Sequence, residues 1–219
     1  MNTPSYRFGG FLRLLAAPVA SAGRRPYLLR KFVSRDVKGR FAGSMGGLLW
    51  TVINPLAMIL VYMFAFSIVL RVRVTAAETG TDTFAVFFLA GLFPWLFCME
   101  GLSRSTNCVK GNANLVTKVV FPVELLPLGS VLGVFLTNGL GMLVFLAYLA
   151  LEGYAHFTWL LAGVLVVLQL IFIWGVASFL AAASVFFRDL NELVGIFLRL
   201  WFFATPIIYP VSMVPERFR

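Results

Sequence analysis

Five long apolar stretches dominate the chain, at about 48–70, 83–99, 125–151, 157–187 and 193–214. No charged residue occurs from Phe41 to Leu70, from Leu125 to Leu151, or from Phe157 to Phe187. A hydrocarbon core of about 30 Å takes about 20 helical residues to cross. A soluble fold of this length cannot hide so much apolar surface. The pattern predicts an all-α polytopic membrane protein with about five transmembrane helices. The second stretch is short, so it either fails to cross alone or continues as helix into 100–110. It carries Pro94-Trp95, and the first stretch carries Asn54-Pro55, which removes a helical hydrogen bond.

Ahead of the first span the period changes. Leu28, Leu29, Phe32, Val33, Val37 and Phe41 recur at helical spacing, with Arg30, Lys31, Ser34, Arg35 and Lys38 between them. This predicts an amphipathic helix lying in the membrane interface, with Pro26 in its first turn. Such a helix serves as a surface anchor or as a docking surface for a partner. Gly39, Gly43, Gly46 and Gly47 follow and allow a sharp turn into the bilayer. Residues 1–47 therefore form a cytoplasmic N-terminal segment and residues 48–219 a membrane domain. Between the second and third spans, Asn112 to Phe121 mixes polar and apolar residues before Pro122, as a short helix parallel to the membrane would.

Charge sets the orientation. The chain has 18 Lys and Arg against 9 Asp and Glu. Nine basic residues lie in residues 1–47, three at Arg104, Lys110 and Lys118, and two at Arg188 and Arg199. These fourteen fall on one side, and only Arg71, Arg73, Arg217 and Arg219 fall on the other. The positive-inside rule puts the N-terminus in the cytoplasm and, with five spans, the C-terminus outside. A basic collar of this kind serves topology and anionic lipid, which argues against a nucleic-acid partner.

Little enzymatic chemistry is visible. His156 is the only histidine, placed in a short external turn, and predicts no metal site. Cys98 and Cys108 do not suggest a structural disulfide. Glu100, Glu124 and Glu152 are scattered. None of the four lysines is followed by Ser or Thr, which excludes a P-loop. Ala20-Ser21-Ala22 resembles a signal-peptidase site, but its apolar run is short and the sequence after it strongly basic, so no cleaved signal is expected. Charges within the spans are nearly absent, with Arg199 the exception; Asn54, Asn138 and Gln169 are the prominent polar residues at depth. A transporter of this kind draws its energy from elsewhere than an ion gradient.

Several segments in order resemble one family. Arg35-Asp36-Val37-Lys38-Gly39-Arg40-Phe41-Ala42-Gly43-Ser44, Leu49-Trp50 and Asn54-Pro55-Leu56 are similar to the N-terminal signature of bacterial polysaccharide-exporting ABC transporter permeases. Gly91 and Trp95 continue the match. So do Asn114 to Pro122, Leu126-Pro127, Phe186 to Leu190, and Thr205-Pro206-Ile207-Ile208-Tyr209-Pro210. The resemblance implies a homodimeric permease in the bacterial inner membrane that exports a lipid-linked O-antigen, capsule or teichoic acid polymer. It implies that ATP is bound by a separate ATPase subunit, so this chain binds no cofactor itself. Arg35, Lys38, Asn114, Leu115, Val116, Lys118 and Val119 are then the expected ATPase contacts. Tyr62 and Phe66 on the first span, opposed by Trp201, Phe202 and Tyr209 on the fifth, are the expected lining of the substrate path. Family members continue into a sixth span, and this chain stops at Arg219, so the expected fold is the six-helix permease lacking its last helix. An integral-membrane enzyme acting on lipid or glycan, or a non-transporting membrane scaffold, are the competing readings.

Overall fold

The computed structural model describes residues 25–71, 74, 79–118, 122–154, 157, 159–215 and 217. The signal-like segment before Gly23, His156 and Val119 lie outside them. Among the described residues there are seven α-helices and no strand. They are α1 (Pro26–Arg40), α2 (Trp50–Met63, continued by a π-helical stretch Phe64–Val69), α3 (Phe84–Ser105), α4 (Ala113–Lys118), α5 (Leu125–Leu151), α6 (Trp159–Phe186) and α7 (Leu190–Ala204).

Four of these are long and apolar enough to cross a bilayer: α2 with its continuation, α3, α5 and α6. The second stretch resolves into a 22-residue helix that runs on to Ser105. The fifth stretch departs from expectation. Its helix α7 has 15 residues, about 22 Å at about 1.5 Å per residue, which is short of a full crossing. It stops because Thr205 precedes Pro206: the proline ring disfavours helical backbone before it, and Thr205 is extended at φ −91°, ψ 135°. A 3₁₀ turn follows at Val211–Met213. The span-length helices among the described residues thus number four, where the apolar pattern predicts five.

The second span is the hub. Of its most apolar window 61% is buried inside the chain, against 6%, 22% and 11% for α2, α5 and α6. Phe88, Leu89, Phe93 and Phe97 pack inward there, with Phe97 stacked on Phe135 of α5 and Phe93 on Phe145. Pro94 lies within α3, and the Gln169 amide of α6 donates to its carbonyl at 2.7 Å, which accounts for one polar residue at depth.

Helix α1 rests on α5 through a row of small residues. Gly129, Gly133, Thr137 and Gly141 recur every four residues and share one face. Phe32 of α1 lies over Gly129, leaving no room for a side chain there. A Cβ at Gly133 would sit 2.7 Å from the Asp36 carboxylate, and one at Gly141 would sit 2.8 Å from Pro55. Close approach of helices over such a row is a recurring means of packing in membranes. Between α1 and α2 the chain turns at Gly43 and Gly47, both with positive φ (79° and 47°), a backbone conformation glycine adopts without penalty.

Candidate functional site

The basic helix α1, the Arg104 end of α3, the start of α5 and the end of α6 gather at one end of the bundle. Arg35 of α1 donates to the Asn112 side chain before α4. Thr106 after α3 donates to Asn191 of α7 at 2.7 Å, and Lys110 reaches the Phe187 carbonyl at 3.5 Å. The amphipathic helix, the loop between the second and third spans, and the turn into α7 are therefore linked at this basic end.

Arg40 sits at its centre. Its side chain is only 7% exposed. Its Nη2 donates to Asp36 at 2.9 Å and its Nε to the same oxygen at 3.2 Å. Its Nη1 donates to Thr137 of α5 at 2.7 Å and to Glu100 of α3 at 3.2 Å. Glu100 also accepts from Arg104 at 2.7 Å and, on its other oxygen, from Asn138 of α5 at 2.8 Å. A buried guanidinium needs this degree of pairing, because an unpaired charge away from water is strongly unfavourable. The result fastens an interfacial helix to two membrane-spanning helices.

This cluster is absent from the sequence-based expectation, which treats Glu100 as scattered. The structure corrects that: Glu100 lies inside α3 and is the acceptor for three side chains. A signal exists in the sequence. Asp36 and Arg40, and Glu100 and Arg104, are acid-then-arginine pairs four apart, the spacing that meets on one helix face. What the sequence does not show is that the two pairs share a partner.

The expected path residues fall in two separate places. Tyr62 and Phe66 are half-buried and pack against Phe88 and Phe84 of α3, with ring centroids 4.7 and 4.8 Å apart. Trp201 and Phe202 of α7 pack against Trp95 further along the same helix, at 5.8 and 5.7 Å. Tyr209 is half-buried and donates its hydroxyl to the Phe203 carbonyl at 2.9 Å. Among the described residues no ring pair joins the two sets within one chain.

The expected ATPase contacts line the basic end unevenly. Arg35, Lys38 and Asn114 are exposed. Leu115 and Val116 are half-buried and pack on a small core of Phe32, Cys108, Leu126 and Ala181, rather than standing as a free ridge. Lys118 ends α4. Burial of the Cys108 thiol in that core pushes its pKa up to about 12. An open groove of about 500 Å³ runs between α1 and α4, with Arg35, Gly39, Asn112 and Asn114 along its walls. Arg199 is exposed on α7 and, among the described residues, bonds only its own helix, at the Gly195 carbonyl.

Comparison with known proteins meets this architecture directly. The family model described as ABC-2 type transporter matches residues 27–219. The chain is 34% identical over 194 residues to the O-antigen export system permease protein RfbA of Myxococcus xanthus, covering 86% of this chain and 70% of that one. A protein of the same name from Klebsiella pneumoniae is also 34% identical, covering 87% and 72%. The polysialic acid transport protein KpsM of Escherichia coli is 23% identical over 187 residues, covering 84% and 70%. A bundle of apolar spanning helices bearing a clamped interfacial helix, matched over nearly its whole described length, places this multi-pass membrane protein in the ABC-2 type transporter family.

Proposed function

We propose that this chain is the membrane permease of an ATP-driven exporter of a lipid-linked polysaccharide, of the O-antigen, capsule or teichoic acid type. The observation that carries the reading is its 34% identity, over 86% of its length, to a permease named for O-antigen export. The permease works as a homodimer in the bacterial inner membrane, with its basic end in the cytoplasm. The nine basic residues in 1–47 with Arg104, Lys110 and Lys118, against Arg71 and Arg73 between the first two spans, support that orientation. It performs no catalysis itself; ATP is bound by a separate ATPase subunit seated at the basic end.

The geometry supports a mechanism for coupling. The ATPase rests on the exposed Arg35, Lys38 and Asn114 and on the rest of the expected contact set. Force applied to α1 passes through Arg40 to α3 and α5, since the guanidinium bonds both. Force applied to the loop after α3 passes through Thr106 to α7. The polymer's route lies between two copies, where the outer faces of α2 and α7, left uncovered by one chain, meet. Exposed Leu56, Leu60 and Phe64 on α2, and Phe197 and Trp201 on α7, lie on those faces. The half-buried Tyr62, Phe66, Phe202 and Tyr209 border the route from behind them.

Docking is tested by co-purification of the permease with its ATPase. Charge reversal at Arg35 and Lys38 together, with bulk added at Asn114, is expected to abolish capture while the permease still inserts. Capture at wild-type levels would remove the basic end from the interface.

A further inference from the structure

A cavity of about 270 Å³ lies beside the Arg40 cluster, between the start of α2 and the facing sides of α3 and α5. Trp50, Asn54, Phe93, Glu100, Arg104 and Asn138 line it. Three of its features bear on what it takes. First, it has a fixed aromatic plate. The Trp50 indole packs over Gly46, where a Cβ would lie 2.9 Å from its Cδ1, so the glycine lets the ring settle against the backbone. The ring is 40% exposed. Second, it offers open hydrogen-bonding groups. Asn54 lies one turn beyond Trp50 on α2, and its amide makes no hydrogen bond among the described residues. Among the described residues Asn138 uses its amide nitrogen on Glu100 and leaves its oxygen open, and Arg104 uses only Nε. Third, its charges are balanced. Arg40 is paired with Asp36 and Glu100, and Arg104 with Glu100.

These features exclude most ligand classes. A phosphate would add two negative charges to a cluster that is already neutral, with Arg40 and Arg104 facing Asp36 and Glu100. A hydrocarbon chain would strand the Asn54 amide and the Asn138 oxygen without partners. A neutral polyol with one apolar face meets every demand: its C–H face lies on the indole, and its hydroxyls both donate and accept among amide, carboxylate and guanidinium. We infer that this cavity is a subsite for one neutral sugar ring of the glycan, at the basic end of the permease. The inference rests on the polysaccharide reading above and adds to it a site within a single chain, separate from the route between copies.

The test uses the permease with its ATPase in lipid discs and saturation-transfer NMR, with methyl hexopyranosides as probes and inorganic phosphate as competitor. Asn54→Ala deletes the open amide without adding bulk, Trp50→Leu deletes the plate, and Trp50→Phe keeps an aromatic face. Thermal midpoints and ATPase co-elution serve as folding checks. Transfer to ring C–H protons is expected with wild type, weaker by about fivefold in Asn54→Ala and Trp50→Leu, retained in Trp50→Phe, and insensitive to phosphate. Absence of transfer from every hexoside, equal transfer in all variants, or displacement by phosphate would overturn it. Wild-type export of glycan is measured in parallel. Export without sugar binding at the cavity defeats this inference alone, whereas failure of export defeats the polysaccharide reading, and the NMR result decides the cavity in either case.

Discussion

Replacing Arg40 by Met keeps the aliphatic stem and removes the guanidinium that ties α1 to the membrane helices. Asp36 then loses both of its hydrogen bonds from Arg40, while Glu100 keeps Arg104 and Asn138. Breaking a fully buried ion pair costs roughly 3–5 kcal/mol. Here the carboxylates are 26% and 28% exposed, so water reaches them and the loss falls to about 2 kcal/mol. That corresponds to about a thirtyfold rise in the population of the state with α1 detached. Hydrogen–deuterium exchange of the purified permease in lipid discs reads this directly. Amides of residues 26–40 should exchange about thirtyfold faster, with the interior of α3 unaffected. Adding Asp36→Asn should recover part of the loss, because no uncompensated carboxylate is then left against α5. Exchange within threefold of wild type, or strictly additive effects in the double variant, would refute the view that Arg40 fastens the helix.

Overpacking the small-residue row should have the same outcome by a different route. Gly129→Leu or Gly133→Leu is expected to cost roughly 1–3 kcal/mol and to release α1 and the ATPase, whereas Gly139→Leu, where a Cβ meets no atom within 4 Å, should do neither in thermal-shift and pull-down assays. Replacing Tyr62 and Phe66 together by Leu removes ring contacts with Phe84 and Phe88, each contributing about 0.5–1.5 kcal/mol, so the thermal midpoint should fall. An unchanged midpoint would show that these rings are not structural. For topology, Phe157→Cys should label with an impermeant maleimide in intact cells and Lys110→Cys only after lysis. Native Cys108 should stay unlabelled at pH 7 in both cases, since its buried thiol, with a pKa of about 12, is almost wholly protonated.

The spanning helices were legible because a long uncharged run has few other fates in a chain of this composition. The interfacial helix was legible from its period, and α1 occupies almost the expected residues. The fifth stretch misleads because hydropathy does not register where a helix stops; Thr205-Pro206 marks the end, and the residues beyond it stay apolar. The Arg40 cluster was half legible, in two acid–arginine pairs, but their meeting depends on α1 folding back along α5. That fold-back depends in turn on Gly129 and Gly133, whose four-residue spacing was there to be read. Tyr62 and Phe66 of α2 lie four residues apart and both meet rings of α3. Their spacing reports that the face packs and not on which helix.

The most direct test of the whole account is ATP-driven translocation in proteoliposomes that hold only this permease, its ATPase and a lipid-linked glycan. The account predicts transfer of the glycan to the far side of the membrane that requires ATP hydrolysis and this chain, and that falls sharply in Arg40→Met. Transfer that proceeds equally well without ATP, or without this chain, would contradict it.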